Sequence, residues 1–214
     1  MTRPYTLFYY PGSANLAPHM LLREIGAPFE LALVDKEAGA QRHPDYLRLN
    51  PTGRIPTLIE GDTALFETAA ILLYLTERHP EAGLAPPPGS PDRARFLALL
   101  FHLTNTIQPE YRAFFYAEQH AETQAGVAEV KRVAERRLGA MFDVIERELE
   151  GRPFLLGDRP SAADFLLFML VRWGRWFERR PATLPNLGRF AEAMLGRASV
   201  RDAFAAEGIS EPWY

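Results

Sequence analysis

The chain of 214 residues contains no cysteine. Reactions that need a protein thiolate, such as mixed-disulfide exchange or a dithiol redox cycle, are therefore excluded. The five histidines are scattered along the sequence, and no spacing typical of metal ligands is present, so we expect no metal. Any thiol chemistry performed by this protein must use the thiol of a bound molecule.

Long apolar runs and an excess of charge are also missing. No apolar segment reaches the roughly 18 residues of a transmembrane helix, and the N-terminus lacks the basic start, apolar run and cleavage site of a secretory signal. Asp and Glu total 27 against 24 Lys and Arg, a net charge of −3, which gives no electrostatic reason to bind nucleic acid or an anionic membrane. We therefore expect a cytoplasmic protein with neither of these partners.

A segment dense in proline and glycine, residues 82–91, marks a domain boundary because such residues cannot continue a helix. Before this segment, strands are predicted over 5–10, 29–34, 57–60 and 63–66, with helices over 16–25 and from residue 67. After it, helices are predicted over 92–119, bent or broken near Pro109, and over 123–150, 161–177, 186–195 and 200–206. The sequence thus predicts an α/β domain of order βαβ-ββα at 1–81, a linker at 82–91 and an all-helical domain at 92–214.

The segment from Asn50 to Leu58 contains an Ile55–Pro56 bond directly before a predicted strand. Proline lowers the free-energy cost of a cis peptide to about 0.5–1 kcal/mol, and a tight turn can hold that isomer, so we expect a cis bond. In such a turn the N–H and C=O of Ile55 are left unpaired. A bound extended peptide can then pair with them as an added antiparallel strand.

Glu67 and Thr68 open the helix that follows these strands. The free N–H groups and the positive dipole end of a helix N-terminus suit a carboxylate, and the Thr68 hydroxyl adds a donor. Glu67 can accept from an ammonium group beside that carboxylate. By itself this pair is ordinary helix-start chemistry, but combined with Ile55–Pro56 it predicts a site for an amino-acid head group that carries both charges.

A polar turn, Pro11–Asn15, joins the first predicted strand to the first helix. It lies at the carboxyl end of a strand, where open α/β sheets hold their ligands. The turn offers the Ser13 hydroxyl and the Asn15 amide, and the strand end offers Tyr9 and Tyr10. An alternative role for Ser13 is to cap the following helix, and tyrosines at a strand end usually pack.

Residues 1 to about 80 resemble the thioredoxin-like domain of the cytosolic glutathione transferases, and the remainder resembles their all-helical domain. The stretch Pro11-Gly12-Ser13-Ala14-Asn15-Leu16-Ala17-Pro18-His19 is similar to Pro-Gly-Ala-Cys-Ser-Leu-Ala-Pro-His of the bacterial beta class. Ala14 stands at the position of the beta-class cysteine. The resemblance implies that the bound peptide is glutathione, acting as a co-substrate with no other cofactor, and that the protein is a homodimer.

The resemblance also implies that the glutathione thiol is ionised by a nearby donor. A free thiol with a pKa of about 8.5 is about 3% ionised at neutral pH, and lowering that pKa by about two units takes about 2.7 kcal/mol. A hydrogen bond to a charged group contributes about 1.5–3 kcal/mol and a helix dipole about 0.3–1 kcal/mol. We predict Ser13 as the donor, since it falls at the serine position of theta-like and delta-like members. Asn15 is the second candidate, and Tyr10 with Tyr9 the third, because other classes use a tyrosine of the first strand.

Further binding residues follow from the same resemblance. The predicted glutathione-binding residues are Arg54, Ile55, Pro56, Glu67 and Thr68. The predicted binding residues for the second substrate lie in the first helix of the all-helical domain and recur at three- and four-residue spacing, on one face of that helix. The other residues of this face are predicted to belong to the core. The predicted binding residues are Asn105, Gln108 and Tyr111. Ser161 and Asp164 are predicted to form a structural capping box.

The expected function is that of a glutathione transferase, which conjugates the thiolate of reduced glutathione to small hydrophobic electrophiles, as in detoxification. Two alternatives remain open. One is a glutathione-dependent peroxidase, reductase or lyase on the same scaffold. The other is a non-catalytic glutathione-binding regulatory protein, an alternative that Ala14 at the usual cysteine position leaves open.

Overall fold

The computed structural model describes residues 4–214, so the first three residues of the predicted domain 1–81 lie outside the described part. The chain forms two compact units, one of Met1–Pro87 with Leu195–Glu211 and the other of Pro88–Met194 with Pro212–Tyr214. The predicted domain boundaries differ from these units mainly at residues 195–211, which were assigned to the all-helical domain. The physical reason for the difference is the packing of this segment on the first helix of the chain.

The first unit is built on a mixed four-stranded sheet of order β2-β1-β3-β4. The strands are β1 (Tyr5–Tyr9), β2 (Phe29–Leu33), β3 (Thr57–Glu60) and β4 (Thr63–Phe66). β1 and β2 are parallel, whereas β3 is antiparallel to both β1 and β4. The paired residues Leu7 and Leu58 are both buried at the centre of the sheet. The predicted βαβ-ββα order is confirmed, with β1 and β2 each one residue shorter than predicted.

Among the described residues of the first unit there are four α-helices: α1 (Leu16–Ile25), α2 (Pro44–Leu49), α3 (Thr68–Arg78) and α9 (Ala198–Ala206). α1 has the predicted bounds and ends at Gly26, whose φ of 74° suits a residue without a side chain. α2 was not predicted, because its segment reads as polar. It begins with Pro44 at a position where the missing N–H costs nothing, and the His43 side chain accepts from the Asp45 N–H.

α9 packs on α1 through a carboxylate that two groups share. Glu24 of α1 pairs with the Arg197 guanidinium at the start of α9, and the Ser199 hydroxyl donates to the same carboxylate. Burial raises the pKa of Glu24, but the hydrogen bonds from Arg197 and Ser199 outweigh that effect and hold the pKa below its ordinary value. The buried Phe204 adds apolar area to the core of the unit. This packing explains why residues 195–211 belong with the sheet.

The second unit is helical. Its helices are α4 (Pro91–His102), α5 (Gln108–Phe115), α6 (Gln124–Glu148), α7 (Ala162–Trp173) and α8 (Pro185–Leu195). The predicted interruption near Pro109 takes the form of a π-helical segment, Leu103–Ile107, directly before α5. Pro109 then lies in the first turn of α5, where a proline is tolerated. Within residues 4–214, no helix is both long and apolar enough to cross a membrane.

α7 is the central helix of the second unit, and all but the last of its residues are buried. Ser161 and Asp164 form the capping box at its start. The Asp164 carboxylate accepts from the Leu155 N–H at 2.9 Å and from the Ser161 N–H at 2.7 Å. α7 ends at Trp173, four residues before the predicted end. A Cβ on Gly174 would lie 2.7 Å from the Tyr111 hydroxyl, so this position requires glycine.

Candidate functional site

Three segments meet at one edge of the sheet, as the strand register shows. Phe8 of β1 pairs with Thr57 of β3, and Thr57 also pairs with Phe66 of β4. The carboxyl end of β1 therefore lies beside the start of β3 and the end of β4. The turn at 10–15, the Ile55–Pro56 bond and the Glu67–Thr68 pair directly adjoin these three strand ends. The structure thus brings together the predicted site residues of the first unit.

The Ile55–Pro56 peptide bond is cis, as expected. Ile55 is half-buried, and its N–H and C=O form no hydrogen bond with any residue in 4–214. β3 begins only at Thr57, so the sheet does not use these groups. They are available to an extended peptide that adds to this edge as a strand.

The turn before Pro56 is held by side chains that sequence reasoning did not assign. The Arg54 carbonyl accepts from the Tyr46 hydroxyl at 2.6 Å and from the Asn50 amide at 2.8 Å. Both side chains also reach the Thr57 hydroxyl, at 2.9 and 3.1 Å. Asn50 opens the motif on which the prediction was based, but Tyr46 lies on the unpredicted α2. The Arg54 residue itself is exposed.

Glu67 is the only non-glycine residue among the described residues with a positive φ, 74°. Its ψ of 117° places it outside the left-handed helical region as well. Such a conformation costs on the order of 1–3 kcal/mol and is found most often at functional sites. Glu67 is exposed and Thr68 is buried at the start of α3. Within residues 4–214, the amides of Thr68 and Ala69 have no acceptor, so both remain available to a carboxylate.

Ser13 lies in the middle of the turn between β1 and α1 and is half-buried. Its N–H donates to the Tyr10 carbonyl, and its carbonyl accepts from the Leu16 N–H, each at 3.0 Å. No side-chain cap bond is formed at the start of α1, so the alternative capping role is not used. No hydrogen bond of the Ser13 hydroxyl is found among the described residues. The hydroxyl is therefore available to a ligand.

Two of the alternative donors, Asn15 and Tyr10, are already engaged. Asn15 is fully buried, its carbonyl oxygen accepts from the Tyr10 N–H at 3.1 Å, and its amide nitrogen donates to Glu207 at 2.8 Å. The Tyr10 hydroxyl donates to Glu37 at 3.1 Å, and this bond raises the pKa of Tyr10 above its ordinary value. A phenol with a raised pKa is a weaker donor to a thiolate. These contacts leave Ser13 as the strongest of the three candidates.

Two charged residues at this edge were missed by sequence reasoning. Lys36 follows the end of β2, and its ammonium lies 5.1 Å from the centre of the Tyr10 ring. Glu207 has a fully buried side chain, and its carboxylate accepts from the Gly12 N–H at 2.8 Å and contacts the His19 imidazole at 2.7 Å. The sequence could have indicated Lys36, because it follows a parallel strand and therefore lies at the edge of the sheet where ligands bind. Nothing local in the sequence marks Glu207.

The predicted residues for the second substrate all lie in the second unit. Asn105, on the π-helical segment, is exposed, and Gln108 at the start of α5 is half-buried. Phe101 and Phe115 on the same stripe are 48% and 44% exposed. Tyr111 is wholly buried, its hydroxyl donates to the Leu170 carbonyl at 2.7 Å, and burial raises its pKa. A direct contact between Tyr111 and a ligand therefore needs a conformation different from this one.

Comparisons with known proteins identify the family of this chain. The family model for the glutathione S-transferase N-terminal domain matches residues 3–77, and the model for the C-terminal domain matches residues 106–198. The chain is 32% identical over 204 residues to glutathione S-transferase GST-4.5 of Xanthomonas campestris pv. campestris, covering 95% of this chain and 99% of that one.

Two solved structures are similar over nearly the whole chain. A glutathione transferase homologue from Sulfitobacter with bound glutathione has 30% identity and a TM-score of 0.87, covering 97% of this chain and 99% of that one. The bacterial beta class glutathione S-transferase of Sphingomonas chungbukensis has 31% identity and a TM-score of 0.84, covering 96% and 100%. The chain belongs to the glutathione S-transferase family of enzymes, and its structural neighbours include the beta class.

Proposed function

We propose that this protein transfers the thiolate of reduced glutathione to small hydrophobic electrophiles, and that Ser13 ionises the thiol. The observation that carries the proposal is the Ser13 hydroxyl, which has no partner among residues 4–214 and lies at the same sheet edge as the unpaired main chain of Ile55. A tripeptide that pairs with Ile55 would be held beside that hydroxyl.

The proposed binding mode assigns one role to each segment of the site. The Ile55 main chain pairs with glutathione as a strand, with Pro56 fixing the turn and Arg54 near the glycyl end. The α3 amides and the Thr68 hydroxyl bind the carboxylate of the γ-glutamyl group. Glu67 accepts from the ammonium group beside that carboxylate. These roles use the complementary charges of the ligand and leave its sulfur free.

The chemical step forms a carbon–sulfur bond. The thiolate attacks an electrophilic carbon and either displaces a leaving group, such as halide, or adds to an activated double bond, whose other carbon then takes a proton. The protein contributes proximity and a donor that stabilises the sulfur anion, and it forms no covalent intermediate with its own side chains. Because the chain has no cysteine, the mixed-disulfide route is excluded.

Asn105 and Gln108 are the residues we propose for binding the electrophile. They present neutral amides between two exposed aromatic side chains, Phe101 and Phe115, which suits a hydrophobic molecule with one hydrogen-bonding group. We propose that the buried Tyr111 supports the helix that carries these side chains. We further propose a cytoplasmic homodimer with a role in detoxification, on the strength of the family alone.

Replacement of Ser13 tests the proposed thiol donor. We expect Ser13→Ala to raise the pKa of bound glutathione by about one to two units, since a hydrogen bond to a charged group contributes about 1.5–3 kcal/mol. The same loss lowers kcat/KM with an aryl halide about 10- to 100-fold. Thiolate absorbance in the ultraviolet, titrated against pH, gives the thiol pKa directly. Thermal unfolding should not change, because the hydroxyl has no partner among the described residues.

Ser210→Ala is the matched control, since Ser210 is exposed and its replacement removes a serine hydroxyl elsewhere in the chain. An unchanged thiol pKa in Ser13→Ala would transfer the donor role to Asn15 or Tyr10. Turnover of a hydroperoxide without turnover of an aryl halide would favour the peroxidase alternative. No thiolate signal at millimolar glutathione in the wild-type protein would favour the non-catalytic alternative.

A further inference from the structure

We propose that Arg112 selects a hydrophobic electrophile that carries a carboxylate. Arg112 lies in α5, four residues after Gln108 and three before Phe115, so its side chain belongs to the same face of the helix as both. The inference rests on the proposed function, which assigns Asn105 and Gln108 to the second substrate. It adds the charge of that substrate, which amides and aromatic rings do not specify.

Arg112 differs from the other half-buried arginines of the second unit, which are Arg93 and Arg175. The Arg175 guanidinium donates to the Arg172 carbonyl at 3.1 Å. The Arg93 guanidinium lies 5.4 Å from the centre of the Phe96 ring. The Arg112 side chain, by contrast, forms no hydrogen bond, ion pair or ring contact with any residue in 4–214. A guanidinium that is partly withdrawn from water and has no acceptor is available to an anion.

The acidic residue of α5 does not neutralise this charge. Glu110 lies two residues before Arg112, and at 3.6 residues per turn this spacing places the two side chains on nearly opposite sides of the helix. The Glu110 carboxylate lies 3.5 Å from the guanidinium of Arg137 in α6. The face of α5 that carries Gln108 and Arg112 therefore has a positive charge without a negative one.

Exposed aromatic side chains lie on both sides of Arg112 along the chain. Phe101 in α4 is 48% exposed, Phe115 is 44% exposed and Tyr116 is 36% exposed. Such rings supply apolar contact area, and a guanidinium presents a planar fork of N–H donors that matches the two oxygens of a carboxylate. A ligand with an apolar body and one carboxylate uses both features, whereas a neutral electrophile leaves the charge of Arg112 unused.

Glutathione is a second possible source of the carboxylate, because its glycyl end also carries one. The proposed binding mode already gives that end a cation, Arg54 in the first unit, which is exposed. We therefore assign the carboxylate at Arg112 to the electrophile. The kinetic test below separates the two sources, because they affect different kinetic constants.

Two aryl chlorides form a matched pair of probes: 4-chloro-3-nitrobenzoate and its neutral amide, 4-chloro-3-nitrobenzamide. In both, the thiolate attacks the ring carbon that bears chlorine and chloride leaves, so the carboxylate takes no part in the reaction. The measured quantity is kcat/KM for the acid divided by kcat/KM for the amide, at saturating glutathione. Division by the ratio of the uncatalysed rate constants removes the difference in intrinsic reactivity. We expect the wild-type protein to prefer the acid about tenfold.

Arg112→Gln removes the charge and keeps a polar side chain, so we expect the acid-to-amide ratio to fall about tenfold. Arg112→Lys keeps the charge without the fork and should give an intermediate ratio. A rise in salt from about 0.1 M to about 1 M shortens the Debye length from about 10 Å to about 3 Å. It should therefore lower the ratio of the wild-type protein and leave the ratio of Arg112→Gln unchanged.

Arg152→Gln is the matched control, since Arg152 is exposed and its replacement removes an arginine charge elsewhere in the second unit. We expect this variant to keep the wild-type ratio. An equal fall of the ratio in Arg152→Gln and Arg112→Gln would overturn the proposal, because the net charge of the protein would then explain the preference. If Arg112→Gln does not fold, Arg112→Lys and the salt series of the wild-type protein give the same test.

The failures of the two proposals are distinguishable. A folded Arg112→Gln variant with the wild-type ratio would overturn the selection by Arg112 and leave the proposed function standing. If that variant also had a raised KM for glutathione, the carboxylate at Arg112 would be that of the glycyl end. Wild-type turnover of 1-chloro-2,4-dinitrobenzene without turnover of 4-chloro-3-nitrobenzoate would overturn the inference alone. Turnover of neither compound would overturn both.

Discussion

Glu67 combines a strained backbone with a charge that the proposed site needs. Its φ of 74° is unfavourable for a residue with a side chain, yet glycine in its place would supply no acceptor for the ligand's ammonium. Neither α3 nor β4 needs a carboxylate here, since Glu67 is exposed and has no side-chain cap bond. At the scale of single residues, we interpret the strain as a stability cost accepted for binding.

Glu67→Gly should separate these two effects. Relief of the strain contributes about 1–3 kcal/mol, and the added freedom of glycine in the unfolded chain costs about 0.5–1 kcal/mol, so we expect unchanged or higher stability. Glutathione binding should weaken, because the acceptor for its ammonium group is lost. Urea unfolding and calorimetric titration with glutathione measure the two quantities. Glu67→Ala is the control, which loses the carboxylate without relieving the strain. A Glu67→Gly variant less stable than Glu67→Ala would contradict this interpretation.

At the scale of elements, the short strands and α1 were well predicted, whereas α2 and the end of α7 were not. β3 and β4 have the predicted bounds because a short apolar segment lies on each side of the Gly61–Asp62 turn and restricts where each strand begins and ends. α7 ends at Trp173, directly before Gly174, where a Cβ would clash with Pro181 and with the Tyr111 hydroxyl, and Tyr111 is distant in sequence. Periodicity describes one element and carries no information about such contacts.

The start of α7 gives a prediction with a defined pH dependence. Burial raises the pKa of Asp164 to about 6, although hydrogen bonds from Leu155 and Ser161 act in the opposite direction. An unfolded aspartate has a pKa of about 3.9, so the folded state binds the proton more tightly. The contribution of Asp164 to the free energy of unfolding is therefore fully present below about pH 4 and is lost as the pH rises through about 6. The total loss is about 3 kcal/mol.

Asp164→Asn removes that titration. The variant also places an amide N–H₂ against the donors at Leu155 and Ser161, so we expect destabilisation of about 1–3 kcal/mol or more at every pH. The destabilisation relative to the wild type should be largest near pH 4 and should shrink toward pH 7. Urea unfolding of both proteins from pH 4 to 8 measures the difference. A destabilisation that grows with pH would mean that the carboxylate is stabilised more by its donors than it is disfavoured by burial.

At the scale of the whole molecule, the first unit is discontinuous in sequence. Its sheet and first three helices come from the N-terminal part, and α9 with Glu207 comes from residues 195–211. The predicted domain boundaries at 81 and 92 were based on the proline-rich segment. That segment carries no information about a later part of the chain that packs on the first unit. Periodicity identifies α9 as a helix but does not say which unit it packs on.

A chain that ends at Leu195 should therefore lose glutathione binding, although it keeps Ser13, Ile55 and Glu67. It lacks the buried Phe204, whose burial contributes about 1.5–3 kcal/mol, together with the contacts of Glu207. Calorimetric titration with glutathione and circular dichroism measure the outcome. A chain that ends at Glu211 is the control and should bind glutathione as the full chain does. Undiminished binding by the shorter chain would show that α9 is dispensable for the site.

The sequence by itself determined the fold class, the segments of the proposed glutathione site and the exclusion of protein-thiol chemistry. These follow from local patterns: alternating apolar residues, an Ile-Pro bond before a strand, a helix start with a carboxylate, and the absence of cysteine. Only the tertiary structure decided which donor candidate is available and which residues hold it in place. Asn15 and Ser13 are both polar in the sequence, but a carboxylate 192 positions away engages Asn15 and leaves Ser13 free among the described residues. Hydrogen bonds between distant residues depend on the packing of whole elements, which local sequence patterns do not encode.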